Sequence, residues 1–267
     1  MKLKLCAILF SVVLLSCQQE KEKKEKTYTA RAFVVSESFN EIPKKKEDVL
    51  SVFKSDSTNK PDGQQFSIKF KDTVLSIQVN AKDKKTADHF SMAQFINTQE
   101  TAVLVQLAGN KVVAPFYIVS LKNGSPEVIS LNRPSNGKED LKYTKGLEEQ
   151  RRSSYVINND FLITIVNGKV YPIKRQREDE RIQGSYFLNS PDKSTLVFLT
   201  PSSLYQVNYL TNEVFNLPVS SKIISDSIRI FQNIQSNYNW HKNVNGTSFL
   251  KENADDNRIV DIKEFKH

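Results

Sequence analysis

The chain has 267 residues, a formal charge of +8, 39% hydrophobic residues and 25% charged residues, which excludes a disordered polymer and a polytopic membrane protein. Two cysteines, Cys6 and Cys17, exclude a disulfide-framed miniprotein, eight glycines make a glycine-rich cofactor loop hard to build, and three histidines leave little material for a metal site. The length suits one large domain or two small ones.

The N-terminus is an address. Lys2 and Lys4 precede an apolar run of eleven residues, Leu5 to Leu15, too short to span a bilayer as a helix but suited to a signal peptide. The run ends in Leu14-Leu15-Ser16-Cys17, which resembles the lipobox of bacterial lipoproteins. That resemblance implies diacylglyceryl addition to the Cys17 thiol, cleavage after Ser16, and acylation of the new amino terminus by a palmitate-type chain. An ordinary secretory leader with a chance cysteine is the alternative. Residues 1–16 are then a signal peptide that carries Cys6 away, and the mature chain has no pair of thiols for a disulfide. Several acyl chains anchor a protein stably to a membrane where a single one is marginal. Loss of Lys2 and Lys4 lowers the formal charge from +8 to about +6.

Residues 17–27 follow as a charged tether, since Gln18 to Lys26 contains no apolar residue that could join a core. In the lipoprotein family an Asp after the cysteine often marks inner-membrane retention. Gln18 therefore favours the cell outer membrane, and the charged stretch is similar to the surface-export signals of Bacteroidota lipoproteins. Whether the chain faces the periplasm or the cell surface stays open.

Residues 28–267 show period-two alternation rich in β-branched and aromatic residues, as in Phe66-Ser67-Ile68-Lys69-Phe70 and Ala102 to Leu107. Turn signals stand between the runs at Pro61-Asp62-Gly63, Asn123-Gly124, Asn167-Gly168 and Pro191-Asp192-Lys193. Asn167-Gly168 is the strongest hairpin signal, fitted to a type I′ turn. The runs also repeat. Tyr117, Phe161, Tyr205 and Phe249 stand 44 residues apart, each opening an alternating segment, with Thr73 one period earlier and Arg258 to Ile262 answering the last. Separately, Phe95-Ile96-Asn97 matches Phe187-Leu188-Asn189 at an offset of 92.

About four strands every 44 residues is the period of propeller blades. The stretch Asn189 to Lys193, continued by Leu204 to Leu217, looks like a generic blade of the β-propeller superfamily, though the Trp-Asp dipeptide of typical WD40 repeats is absent. The expectation is an all-β, propeller-like array of about five four-stranded blades, or six, since 240 residues hold about 5.5 periods. A β-sandwich or two small β-domains is the alternative. Ring closure usually borrows a strand from the opposite terminus, and Thr29 to Val35 could supply it. Ile224, Ile228, Phe231, Ile234 and Tyr238 have the spacing of a helix inserted between blades, although Arg229-Ile230-Phe231 fits a strand equally well.

Few constellations suit chemistry. Lys44-Lys45-Lys46 and Lys174-Arg175-Gln176-Arg177 are the densest basic runs, expected as solvated loops, with acidic glycans or anionic lipid headgroups as the next reading and nucleic acid not expected. His89, His241 and His267 lie apart, and Asp255-Asp256-Asn257 fails as a calcium loop because Ile259, Val260 and Lys266 stand where it needs an oxygen ligand, a glycine and a glutamate. No metal or cofactor is expected. Some five-bladed propeller families cleave glycosides with two carboxylates, for which Asp48, Asp72, Glu100, Asp160 and Asp192 are candidates by type; Asp72, Asp160 and Asp192 fall in expected turns. Tyr238-Asn239-Trp240-His241 is the one aromatic cluster with polar handles, and Tyr238, Trp240 and His241 are candidate binding residues unless they are core. The expected function is a non-enzymatic scaffold or accessory subunit, lipid-anchored at Cys17, with an envelope protein as partner. A glycan-binding or glycoside-cleaving lipoprotein, and an immunity lipoprotein against a toxin, are the rivals.

Overall fold

The computed structural model describes residues 24–55, 65–78, 86–107, 115–135, 146–150 and 153–253. The lipobox and Cys17, the Pro61-Asp62-Gly63 turn, Asp255-Asp256-Asn257, Arg258 to Ile262 and His267 lie outside those residues. The chain is all-β. Its first strands are β1 (Lys24–Thr29), β2 (Arg31–Ala32), β3 (Leu50–Ser55), β4 (Gln65–Phe70), β5 (Thr73–Gln78) and β6 (Thr86–Ala87). A meander follows, β7 (Phe90–Phe95), β8 (Ala102–Leu107), β9 (Phe116–Lys122) and β10 (Ser125–Ser130). These ten form one sheet whose eight-strand path, β1-β5-β4-β7-β8-β9-β10-β2, is nearly closed. Its two ends belong to one N-terminal run, broken at Ala30, that pairs in parallel with β5 through β1 and with β10 through β2. The joint between β4 and β7 is the single pair Phe66↔Phe90.

Two four-stranded antiparallel sheets come next: β11 (Leu147–Gln150), β12 (Ser154–Ile157), β13 (Phe161–Thr164) and β14 (Val170–Pro172), then β15 (Ser185–Asn189), β16 (Thr195–Leu199), β17 (Ser203–Asn208) and β18 (Val214–Pro218). Helices α1 (Ser221–Ser225) and α2 (Ile230–Asn237) lead into the hairpin β19 (Tyr238–Lys242) and β20 (Ser248–Glu252). The helical spacing thus gives an insertion, as expected, but it ends at Asn237, and Tyr238 onward is strand.

Alternation explains why the sheets stack. In β8, Ala102 and Leu104 face one way while Val103, Val105 and Leu107 face the other, and all are buried. With β3–β6 counted as the first strand group, β7–β10 as the second, β11–β14 as the third, β15–β18 as the fourth and β19–β20 as the last, the first set joins Ile118, Phe161 and Ile163 in a core between the second and third groups. The second set joins Ile68, Leu75 and Ile77 in a core between the first and second. Val156 and Leu162 turn to Phe198 and Tyr205 of the fourth group. Val197 and Leu204 turn to Ile234, Tyr238 and Leu250 of the last. Each buried Val, Leu, Ile or Phe contributes roughly 1.5–3 kcal/mol, so no sheet is stable without its neighbours.

The 44-residue spacing maps onto strand position. Tyr117, Phe161 and Tyr205 lie in the third strands of successive groups, and Phe95 and Phe187 both end or occupy first strands. Thr73 opens β5, which pairs antiparallel with β4 and in parallel with β1, the latter arriving from the N-terminus. That segment therefore ties the first two strand groups together, rather than closing a ring from Thr29 to Val35 with the last. It also begins at Lys24, within the stretch expected as tether.

The spacing breaks at Phe249. Ser248 bonds to Asp192 in the β15–β16 turn and Thr247 to Glu213 beyond the end of β17. So β20 starts where β17 finishes and runs the opposite way, making it the second strand of its group.

Turn chemistry also departs from expectation. Asn123-Gly124, with φ of 53° and 75°, makes the two-residue hairpin turn, and Asn158-Asn159, at 51° and 56°, lie in a three-residue loop in which Asp160 N–H donates to the Ile157 carbonyl. At Asn167-Gly168 only the glycine has positive φ, and the hairpin closes through a wider loop, Thr164 N–H to Lys169 C=O. Glycine is needed there because a Cβ would lie 2.1 Å from the Phe39 carbonyl oxygen.

Candidate functional site

A cleft of about 840 Å³ opens where the first strands of three successive groups converge. β11 contributes Glu149 and Gln150, β15 contributes Phe187 and Leu188, and β19 contributes Tyr238, Asn239 and Trp240. Each of these strands has a strand neighbour on one side only among the described residues. Alternation on β19 turns Tyr238 and Trp240 toward the cleft and leaves His241 exposed outside it. Of the three candidate binding residues, two are therefore brought together.

The lining mixes aromatic side chains, among them Phe187, Tyr209, Phe231 and Trp240, with buried Leu162, Ile234, Gln150 and Ser154. Phe187 and Phe231 of α2 meet with centroids 5.9 Å apart. Tyr209, at the mouth, packs on Tyr171 at 4.8 Å. Burial pushes the Tyr209 and Tyr238 hydroxyls above their ordinary range, so both remain neutral donors. Ser154 donates to Gln150 Oε1 at 3.2 Å, while Gln150 Nε2 is buried without a partner among the described residues. An orphan donor of this kind costs about 1–3 kcal/mol, which an acceptor on a ligand would recover. Lys193 and Glu149 bring one charge of each sign to the lining, and Glu149 is the one carboxylate there among the described residues.

Three polar ties fix the β19–β20 wall. Gln206 Nε2 donates to the Leu250 carbonyl at 3.0 Å, and Leu250 N–H donates to Gln206 Oε1 at 2.6 Å. Asp192 accepts from Ser190 Oγ at 2.5 Å, Ser194 N–H at 3.1 Å and Ser248 Oγ at 2.8 Å. The Ser190 bond leads these in holding the Asp192 carboxyl well below its usual range, against an opposing push from burial. Glu213 accepts from Thr247 Oγ1, from Asn245 Nδ2 at 2.6 Å and from Asn243 Nδ2 at 3.3 Å. Burial is the largest influence on Glu213 and pushes its pKa up; the sum of its hydrogen bonds outweighs that and lowers it.

None of the five candidate carboxylates lines the cleft. Asp160 is fully buried, with Arg175 Nε at 2.8 Å, Arg181 Nε at 2.7 Å and an Arg133 Nη1 at 3.8 Å. It ties the connections before β11 and after β14 to the β12–β13 turn. Arg175, expected on a solvated loop, is thus buried beside Asp160. Asp48 pairs with Lys71 at 3.1 Å, Asp72 lies in the β4–β5 turn, and Glu100 sits in the β7–β8 turn at φ 55°. His89 contacts Asp88, and among the described residues no group of three or more His, Cys, Asp or Glu is placed to hold a metal. Gln150, Lys193 and Phe231 were missed in sequence; their common feature, a place on the first strand, turn or helix beside one cavity, is tertiary.

Comparison with family models, with curated proteins and with solved structures finds no match. No helix among the described residues is long and apolar enough to cross a membrane.

Proposed function

We propose that the chain is a lipid-anchored envelope protein that binds a partner protein in the cleft without transforming it. The observation that carries this reading is the convergence of β11, β15 and β19 on one aromatic-walled space. First strands meeting at a common cavity are the geometry of a propeller, so the same observation supports a five-unit, blade-like ring with the cleft at its centre. Trp and Tyr beside one-sided strands suit an extended segment of another protein, which offers backbone groups to the strand edges and side chains to the rings. A single lining carboxylate among the described residues supports binding over glycoside cleavage, which works with two.

Cys17 supplies the anchor in this reading, through the lipobox-like Leu14-Leu15-Ser16-Cys17 and delivery to the cell outer membrane. Fractionation of Cys17→Ala cells tests that part. The substituted protein leaves the membrane pellet if the anchor is lipid, and stays there if it is not. A glycan is the second occupant to test, because half-buried Trp240 beside Asn239 also fits a sugar ring. Affinity purification from crosslinked membranes, comparing the parent with Trp240→Ala, separates the two. Loss of a specific protein supports the proposal, and an unchanged protein set with lost glycan retention contradicts it.

A further inference from the structure

We infer that the end of the molecule carrying Lys44, Lys45 and Lys46 docks on anionic phospholipid headgroups of the membrane that holds the anchor, an inference that rests on the lipid-anchored reading of Cys17. The chain's own geometry selects this end. β1 starts at Lys24, paired with Thr73, which follows directly on the Lys71-Asp72 turn. The seven-residue step from Cys17 to Lys24 spans at most about 25 Å. An acylated Cys17 therefore keeps this end close to the bilayer, and its chemistry is that of a surface meeting headgroups.

Residues 41 to 48 cross this end between two turns. Glu41 accepts from the Asn123 and Gly124 N–H groups at 2.8 and 3.0 Å. Asp48 pairs with Lys71, and Leu50 N–H bonds to Glu100. Pinned at both sides, the segment presents Lys44, Lys45 and Lys46 exposed and without an ion pair among the described residues. Beside them Ile42 is 76% exposed, a large aliphatic group with no packing role. Lys24, Lys26 and Lys122 are exposed at the same end. The carboxylates here are Glu25, Glu41, Glu47, Asp48, Asp72 and Glu100; Glu25 bonds to Ser76, Glu41 to backbone and Asp48 to Lys71. Lysines held near a surface are drawn to anionic leaflets, and an exposed aliphatic tip enters the headgroup layer.

The test uses the mature chain with Cys17→Ser, sedimented with phosphatidylcholine vesicles with and without about one third phosphatidylglycerol. The inference predicts binding to the anionic vesicles, and weakening by about tenfold or more in K44E/K45E/K46E. Ile42→Ser weakens it further, whereas Lys222→Glu on α1 does not. Raising salt toward ~1 M abolishes it. Equal binding to neutral vesicles, an unaffected triple variant of unchanged melting temperature, or binding to lipid A vesicles alone overturns it. Because the assay omits acylation, its outcome is separate from the Cys17 fractionation, which reads the anchor itself.

Discussion

The carboxamide of Gln206 engages both backbone polar groups of Leu250, donating to the carbonyl at 3.0 Å and accepting from the N–H at 2.6 Å. The positions one and two periods earlier, Leu162 and Ile118, are apolar and pack in the cores between sheets. Gln206 does what a neighbouring strand would do for Leu250, and so it fixes the wall that carries Tyr238 and Trp240. Gln206→Leu keeps the volume and strands two buried backbone groups, at about 1–3 kcal/mol each. The expected result is a lower urea midpoint and faster amide exchange at Leu250. Unchanged exchange there would show that the tie is dispensable.

Acid loosens the same wall. Asp192 and Glu213 both have carboxyls lowered in the folded state, so the stability they add is present above the unfolded values near pH 4 and is lost as pH falls below them. Urea midpoints should decline below about pH 4 more steeply in the parent than in Asp192→Asn, which lacks that titration. A parallel decline in both proteins contradicts the assignment to Asp192.

Asp160 is a structural carboxylate. Asp160→Asn leaves the buried Arg175 and Arg181 guanidiniums without their counter-charge, at a cost of about 3–5 kcal/mol. Denaturant unfolding measures it. A stable Asp160→Asn protein that lost a glycoside-cleaving activity would instead revive a catalytic role.

Ring and open stack give different distances. Ser67 of β4 and His241 of β19 lie on the outward faces of the first and last groups, opposite Ile68 and Trp240. Five strand groups stacked at about 10 Å in a line put such labels roughly 40 Å apart or more. A ring brings them face to face, under about 25 Å. Spin-label distance measurement between Ser67→Cys and His241→Cys decides it, with Cys17 replaced.

The central strands were legible because packing between two sheets demands apolar residues on both faces, and Ala102 to Leu107 or Phe161 to Ile163 meet that demand in any context. β1 was not, because Lys24, Glu25 and Lys26 are exposed and only their backbone pairing with β5 makes them a strand. The Phe249 match misled because it compared side-chain patterns, which are the same for strands running in either direction. Tyr238 and Trp240 stood out as aromatics, but the cleft they face needs Gln150 and Lys193 from other sheets. Arg175 looked solvated because its partner, Asp160 in the β12–β13 turn, is fifteen positions away and meets it only when the segment after β14 folds back on that turn.

Site-specific photocrosslinking in cells tests the binding claim most directly. Photoreactive residues at Gln235 and Lys193, both in the cleft lining, should yield the same protein adduct, abolished by Trp240→Ala, while Ile228 and Val244, exposed and outside the lining, yield none. An identical adduct from all four positions, or none from the two cleft positions, would contradict the account.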